Sequence, residues 1–412
     1  TRSMVYTMPE FLERRYNPQS RTILSVISLV SYVLTKVAVT VYAGGLVFQQ
    51  VFGIKELWGI DFFWIAAIGL VVLTALYTIF GGMKSVLYTS VLQTPILLLG
   101  SLIILVLGFK ELGGWDEMMR VCGAVTVNDY GDTMTNLIRS NDDANFPWLG
   151  ALIGSAIIGF WYWCTDQFIV QRVLSGKNEM EARRGTIFGA YLKLLPVFLF
   201  LIPGMIAFAL HQKYIGAGGE GFLPMLENGT ANADAAFPTL VAKLLPAGVK
   251  GLVVCGILAA LMSSLASLFN SSAMLFTIDF YKRFRPQTSE KKLVGIGQVA
   301  TVVIVILGIL WIPIMRSVGD VLYTYLQDVQ SVLAPGIAAA FLLGICWKRT
   351  SAQGGMWGLI SGMVIGLTRL GAKVYYSNAG EVADSTFKYL FYDMNWLFFC
   401  GWMFLFCIIV VI

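Results

Sequence analysis

Several hydroxyl side chains lie in a stretch that is otherwise hydrophobic enough to span a bilayer. Residues 257–272 read ILAALMSSLASLFNSS, within an apolar run from Val249 to Tyr281. The hydrocarbon of a bilayer offers no hydrogen-bond partners, so hydroxyl groups there must face protein, water or an ion. One face of a helix with this spacing carries Ala260, Ser263, Ser264, Ser267 and Ser271, and the opposite face carries Leu258, Leu261, Leu265, Leu268 and Met274. The pattern predicts a membrane helix with a polar stripe whose oxygens suit a hard cation; close packing of small residues is the alternative.

Four charged side chains are expected at membrane depth: Lys36, Asp166, Lys193 and Asp328. An ionisable group in the bilayer core costs at least about 2–3 kcal/mol, so it marks a functional site or a buried pair. Lys193 lies roughly 14 Å along its predicted helix from Arg184. Asp166 lies roughly 9 Å from Arg172 on the preceding, antiparallel predicted helix. Two roles stay open for them: lining a solute pathway, or neutralising each other between helices.

Polar and aromatic side chains come together at two further places. Gln327 and Asp328 precede Pro335 and Gly336, which are predicted to interrupt their helix and expose backbone carbonyls, as in transporter sites near the midplane. The segment GFWYWCTDQ (159–167) places four aromatic rings in the middle of a span, whereas interfacial belts place Trp and Tyr at helix ends. Such rings beside amide and ammonium groups suit a sugar. Ordinary helix packing is the alternative.

The composition defines the class of protein that must position these groups. Of the 412 residues, 57% are hydrophobic and 13% are charged, against about 25% charged in soluble domains, and the mean hydropathy is +0.73. The chain is therefore predicted to be an all-α polytopic membrane protein. Its net charge of +5 lies in short loops and gives no indication of nucleic-acid binding. One histidine, His211, and six cysteines without a CxxC pair give no basis for a metal cluster or a disulfide framework.

Ten apolar segments have the length needed to span a membrane. They are 22–48, 58–80, 85–109, 148–170, 186–210, 248–278, 293–314, 321–346, 352–371 and 395–412. Because the chain begins at Thr1 and stops within an apolar run at Ile412, we expect it to be an internal part of a longer protein. The basic short loops place residues 1–21 on the cytoplasmic side.

Six motifs carry a resemblance to a known family. They are TMPEFLERRYN (7–17), LYTIFGGMKSVLYTSVLQT (76–94), WYWCTDQFIVQRVLSGKN (161–178), YLKLLPVFLFLIPGMI (191–206), LAALMSSLASLFNSSAMLFTIDFY (258–281) and APGIAAAFLLGICWKR (334–349). In this order, over essentially the whole chain, they resemble the sodium/solute symporter family and, within it, the sodium–glucose cotransporter branch.

The resemblance implies a LeuT-like fold of two inverted five-helix repeats, matched here from the third core helix onward. Residues 1–109 would complete the first repeat, and 110–147 would form an extracellular or periplasmic loop. Residues 148–346 would form the second repeat, and 347–412 accessory helices.

The resemblance also implies where the sites lie. A sodium site falls on the carbonyl of Ala260 and the hydroxyls of Ser263 and Ser264. Tyr162 is implied to stack on the sugar and to gate the inner exit, and Tyr323 to occupy an outer gate. The implied sugar-contact residues are Tyr162, Trp163, Lys193, Gln327 and Lys36.

Four positions depart from the family pattern. Lys36 stands where the bacterial galactose member has an asparagine, and Gly159 replaces a polar contact residue, so the particular sugar is left open. Ser90 replaces the aspartate of a YTD motif, and Ala266 replaces a hydroxyl residue two places after the serine pair. Because the carboxylate and this hydroxyl group are both missing, we expect one sodium ion per sugar.

The expected function is sodium-coupled symport of a monosaccharide by alternating access in the plasma (inner) membrane, with no organic cofactor. A symporter of the same family for proline, pantothenate or sialic acid is one alternative, and a sugar-gated sensor without net transport is another. An enzyme is disfavoured because the sequence offers no Ser–His or paired-aspartate arrangement and no nucleotide loop.

Overall fold

The computed structural model describes residues 5, 7–226, 229–318, 321–378 and 384–412, apart from the side chains of 77, 79–86, 89 and 315–318. Among these residues the sheet structure is limited to a short hairpin of β1 (Glu56–Leu57) and β2 (Ile60–Asp61) and two isolated bridges. Almost everything else is helical, which is the regular structure that satisfies backbone hydrogen bonds within a membrane segment.

The α-helices are, in chain order, α1 (Met8–Arg15), α2 (Pro18–Ser31), α3 (Ala38–Phe52), α4 (Phe62–Leu112), α5 (Trp115–Gly123), α6 (Trp148–Phe160), α7 (Gln167–Leu174), α8 (Glu179–Leu192), α9 (Ile202–Gly216), α10 (Ala236–Leu244), α11 (Ala247–Met274), α12 (Lys282–Phe284), α13 (Glu290–Val318), α14 (Leu322–Cys346), α15 (Ala352–Asn378), α16 (Thr386–Lys388) and α17 (Trp396–Val411). Five π-helical segments interrupt or extend them: Tyr32–Val37, Trp161–Thr165, Val197–Leu201, Leu275–Tyr281 and Tyr389–Asp393.

Seven helices in the described part of the chain are long and apolar enough to cross a membrane, or eight if the bent pair 386–393 and 396–411 is one span. The prediction of a polytopic helical protein is confirmed, but the described residues do not give ten spans. Helix α4 covers the predicted span 58–80 from Phe62 onward and all of the span 85–109. The loop expected at 80–85 lies outside the described side chains.

Helix α15 forms where the span 352–371 was predicted, yet it is not among the spans that hydropathy selects. Its glycines lower the hydropathy and allow close packing. A Cβ atom at Gly362 would lie 2.8 Å from the Cα of Gly336, and one at Gly366 would lie 2.5 Å from the carbonyl oxygen of Val332. Small residues of this kind let helix backbones approach in membranes.

The helix break predicted at Pro335 and Gly336 is wrong. Helix α14 continues through both residues. A proline costs a helix one backbone hydrogen bond, but here the following Gly336 packs directly against Gly362 of α15. We attribute the continuity of α14 to this close packing.

The chain divides into two compact units. Unit 1 comprises Thr1–Val39, Arg139–Gly185 and Leu268–Ile412, and unit 2 comprises Thr40–Ile138 and Thr186–Ser267. Unit 2 has a core of fully buried apolar side chains that includes Ile206, Leu210 and Val253. The predicted division into two repeats stays a prediction.

In unit 2 the single histidine has a structural role. His211 is buried, and its Nδ1 accepts a hydrogen bond from the backbone N–H of Leu223 at 3.0 Å. Gly221 lies so close to the imidazole that a Cβ there would be 2.3 Å from Cε1. His211 therefore anchors the segment that follows α9.

In unit 1 the short helix α1 is held by polar contacts at both ends. Thr7 caps it and also donates to the buried carboxylate of Asp279 at 3.1 Å. Asp279 accepts further hydrogen bonds from Arg21 Nε at 2.7 Å and Ser25 Oγ at 3.0 Å. At the other end the Tyr16 hydroxyl donates to the carbonyl oxygen of Ala340 at 2.7 Å, and burial raises the pKa of that phenol, which keeps it a donor.

Candidate functional site

The three residues predicted to bind sodium lie on α11 in unit 2. Ser263 is 5% exposed, and Ala260 and Ser264 are half-buried. The Ser263 hydroxyl lies 2.6 Å from the hydroxyl of Ser90 on α4, and the Ser263 carbonyl accepts a hydrogen bond from Ser267 Oγ at 2.9 Å. The structure thus gathers several neutral oxygen atoms around Ser263, a donor type that suits a hard monovalent cation.

The contact between Ser90 and Ser263 was not predicted. In the sequence, Ser90 replaces an aspartate of the family motif. In the structure its hydroxyl contacts the hydroxyl of Ser263, a predicted sodium ligand. An aspartate at this position would bring a carboxylate to the hydroxyl of Ser263. The family motif was the available signal, but it gave no indication of which serine Ser90 contacts.

The polar stripe of α11 does not differ from the opposite face in burial. Ser267 and Ser271 are fully buried, and so is Leu265 on the face opposite them. Helix α11 is therefore packed on more than one side. The stripe is distinguished by its oxygen atoms and not by its burial.

The predicted sugar-stacking residue lies at a helix break in unit 1. Helix α6 ends at Phe160, the π-helical segment Trp161–Thr165 follows, and Asp166 then adopts an extended conformation (ψ 121°) before α7 begins. Asp166 caps α7 by accepting a hydrogen bond from the N–H of Phe168 at 3.1 Å. The irregular backbone thus occurs beside Tyr162 and not at Pro335.

The two aromatic residues of this break differ in exposure. Tyr162 is half-buried, whereas Trp163 is 49% exposed. The ring of Tyr162 packs edge-to-face against Trp161 and Trp163, with centroid distances of 6.1 and 5.1 Å. Trp161 is buried, in keeping with the packing role open to it in the sequence.

Asp166 forms its ion pair with Lys36, and the alternative pairing with Lys193 is wrong. One oxygen of Asp166 binds the ammonium of Lys36, and the other accepts from the hydroxyl of Tyr32 at 3.1 Å. Lys36 lies in the π-helical segment Tyr32–Val37 and is 8% exposed. Both charges were predicted at membrane depth, but a partner 130 residues away could not be read from local spacing.

Lys193 belongs to unit 2 and lies in a turn. Helix α8 ends at Leu192, and the backbone N–H of Lys193 bonds the carbonyl oxygens of Gly189 and Ala190 at 3.0 and 3.2 Å. Its side chain is exposed. The sequence predicted a residue within a continuous helix, whereas the structure places it just past the end of one.

Gln327 and Tyr323 lie one turn apart on α14 in unit 1. Gln327 is half-buried, and Tyr323 is 52% exposed, with its ring centroid 6.4 Å from that of Phe146. The next residue, Asp328, is buried and points to α15. Asp328 Oδ2 lies 2.7 Å from Lys373 Nζ, and Oδ1 lies 3.5 Å from the guanidinium of Arg369.

Arg369 is a buried charge that the sequence interpretation missed. It is completely buried, donates to the carbonyl oxygens of Leu390 and Met394 at 3.3 and 2.6 Å, and lies 4.1 Å from the ring centroid of Phe399. A charged residue inside the predicted span 352–371 was the signal that could have found it. The region expected to be accessory therefore supplies the counter-charges of Asp328.

Comparison with known proteins gives a consistent assignment. The model of the sodium:solute symporter family matches residues 1–362. The chain is 38% identical to human sodium/myo-inositol cotransporter 2 over 378 residues, which covers 89% of this chain and 55% of that protein. It is 39% identical to the sodium/mannose cotransporter SLC5A10 of Bos taurus (89% and 62% covered) and 38% identical to sodium/glucose cotransporter 4 of Mus musculus (90% and 55%).

The chain thus spans 55% to 62% of the length of these three relatives. The chain is also similar to a solved structure of a Na⁺-coupled sialic acid symporter in a substrate-bound outward-open state, with a TM-score of 0.72 and 22% sequence identity. The match covers 100% of this chain and 77% of the symporter chain. This likeness confirms the predicted LeuT-like helical fold. Since the family model and these relatives match most of its length, the chain belongs to the sodium:solute symporter family.

Proposed function

We propose that the protein carrying this chain is a sodium-coupled symporter of a monosaccharide. It works by alternating access in the plasma membrane, with residues 1–21 on the cytoplasmic side. The observation that carries the proposal is the helix break at Trp161–Asp166, which presents Tyr162 and Trp163 beside irregular backbone in the middle of a predicted span. Discontinuous membrane helices build solute sites near the midplane of secondary transporters.

Two further observations support the proposal. The hydroxyl and carbonyl oxygens around Ser263 and Ser90 are neutral hard donors, the ligand type that suits a monovalent hard cation. The relatives described above are named for glucose, mannose and myo-inositol, which are ring compounds that carry several hydroxyl groups.

In the proposed mechanism sodium binds at Ala260, Ser263 and Ser264 and stabilises the outward-facing state. The solute then binds on Tyr162, with Trp163 and Gln327 of the same unit as further contacts. Coupling is a difference in affinity between two states, so sodium and solute must raise each other's affinity equally. The driving force is the sodium gradient plus about 2.3 kcal/mol per charge per 100 mV.

The test is uptake into proteoliposomes that contain the full-length protein. We expect saturable uptake of glucose, galactose or mannose only under an inward sodium gradient. Uptake of proline, pantothenate or sialic acid in place of these compounds would show a symporter with another solute. A sugar-evoked current without accumulation of labelled sugar would show a sensor.

A pair of substitutions at Tyr162 tests the stacking role. Because stacking requires the ring and not the hydroxyl, Tyr162→Phe should keep the KM for sugar within a factor of about two, whereas Tyr162→Ala should raise it by roughly tenfold or more, corresponding to about 1.4 kcal/mol. Initial rates of labelled sugar uptake give both values. Equal KM values for Tyr162→Ala and the wild type would exclude Tyr162 from the solute site.

A further inference from the structure

Two irregular helical segments of unit 1 are joined by one ion pair. Lys36 lies in the π-helical segment Tyr32–Val37, and Asp166 directly follows the π-helical segment Trp161–Thr165. Segments of this kind are rare and occur frequently at functional sites. The pair therefore links two places where the backbone departs from regular α-helix.

Both oxygens of Asp166 are engaged. One binds the ammonium of Lys36, and the other accepts from the Tyr32 hydroxyl and from the N–H of Phe168, both at 3.1 Å. Asp166 is 5% exposed, and Lys36 is 8% exposed. A buried carboxylate with these partners fixes both the end of the π-helical segment and the start of α7.

The ammonium of Lys36 is also enclosed by aromatic rings. Its Nζ lies 4.4 Å from the ring centroid of Phe168, 4.8 Å from Tyr32, 5.3 Å from Tyr162 and 5.8 Å from Trp161. A desolvated ammonium is attracted to the faces of such rings. One cation thus contacts both the carboxylate that ends the segment and the ring of Tyr162 within it.

A small cavity adjoins the pair. It has a volume of about 10 Å³, room for about one water molecule. Asp166, Thr165 and Ser31 line it, and the Ser31 hydroxyl is buried without a hydrogen-bond partner among the described residues. Ser31 therefore lies beside the pair without a direct hydrogen bond to Lys36 or Asp166 among the described residues, so Ser31→Ala serves as the control substitution of a neighbour.

We propose that Lys36 and Asp166 are positioning residues that hold Tyr162 in place, and that Lys36 acts as the counter-ion of Asp166 and not as a sugar ligand. The pair fixes the Trp161–Thr165 segment, and the segment carries the ring. This inference depends on the proposed function only in that Tyr162 is taken to contact the solute.

Cys164 provides a measurement that does not depend on transport. It is exposed and lies in the same segment, two residues after Tyr162 and two before Asp166. The experiment measures the rate at which N-ethylmaleimide alkylates Cys164 in the purified full-length protein in detergent, with the site read by peptide mass spectrometry. Cys255 and Cys346, exposed elsewhere in the fold, are read in the same samples as internal controls.

The variants separate the charge of Asp166 from its capping role. Because asparagine also caps a helix, Asp166→Asn keeps the cap and removes the ion pair. It should change the rate of Cys164 alkylation by about tenfold. Lys36→Met should change it similarly, and the double variant should change it no further than the larger single variant does, since both act on one interaction. Lys36→Arg and Ser31→Ala should keep the wild-type rate.

The outcomes distinguish this proposal from the proposed function. If Cys164 is alkylated at the wild-type rate in both Asp166→Asn and Lys36→Met, the positioning role is overturned. If Lys36→Met also weakens the affinity for sugar while its alkylation rate is unchanged, Lys36 is a ligand. If Asp166→Asn does not fold, Tyr32→Phe, which removes one hydrogen bond to Asp166, should still change the rate, and an unchanged rate there would also overturn the proposal. If the Cys164 rates change as expected while the wild type transports no sugar, the proposed function fails and the positioning role stands.

Discussion

Asp328→Asn is expected to destabilise the protein by about 3–5 kcal/mol, the cost of leaving buried charge without its partner. Asp328 is buried between Lys373 at 2.7 Å and Arg369 at 3.5 Å, and Arg369 has no exposed surface. Removal of the carboxylate leaves two cations close together without a counter-charge. Thermal unfolding of the detergent-solubilised protein measures the loss.

A second substitution checks the electrostatic cause. Lys373→Met removes one of the two cations and leaves Asp328 paired with Arg369, so it should cost less than Asp328→Asn. Adding Lys373→Met to Asp328→Asn should recover part of the lost stability. Lys388, whose partner Asp384 is 95% exposed, serves as the surface control, and Lys388→Met should leave the unfolding temperature unchanged. Equal unfolding temperatures for Asp328→Asn and the wild type would show that the cluster does not contribute to stability.

Ser90→Asp is expected to lower the sodium concentration for half-maximal transport by about tenfold or more. Two unit charges 4 Å apart attract each other by about 4 kcal/mol at an effective dielectric constant of 20, from which the cost of desolvating the carboxylate is subtracted. The Ser90 hydroxyl lies 2.6 Å from that of Ser263, so the new carboxylate would lie beside the proposed sodium ligands. Sodium titration of sugar uptake measures the change.

Ser90→Asn is the matched control, because it has nearly the same shape as the aspartate variant and no charge. It should not increase the affinity for sodium. An equal gain in both variants would assign the effect to packing, and no gain in Ser90→Asp would place the sodium site away from Ser263.

The same position bears on the stoichiometry. The wild type is expected to move one sodium per sugar, so a tenfold change of sodium and a tenfold change of sugar should shift the reversal potential equally. A sodium shift twice as large as the sugar shift would contradict one-to-one coupling in the wild type. The same measurement on Ser90→Asp shows whether the carboxylate adds a second ion.

Features that depend on a single helix could be predicted from the sequence. The helical membrane class follows from composition, because a bilayer selects long apolar segments. Ser263 and Ser264 share a helix with Ala260, and Tyr323 and Gln327 are one turn apart on α14, because helical periodicity fixes such relations within a few residues. The LeuT-like fold could also be predicted, because the family motifs are local sequence patterns that are recognised without knowledge of the tertiary contacts.

The partners of the charged groups and hydroxyl groups were decided by the tertiary structure. Asp166 pairs with Lys36, Asp328 with Lys373 and Arg369, and Ser90 with Ser263. The sequence indicated that most of these groups needed partners, because a lone charge in hydrocarbon is costly. It did not indicate which partner each would have, since that depends on where distant helices cross. The break expected at Pro335 failed for the same reason: close packing of Gly336 on Gly362 keeps α14 continuous, and such a contact exists only once the two helices have packed.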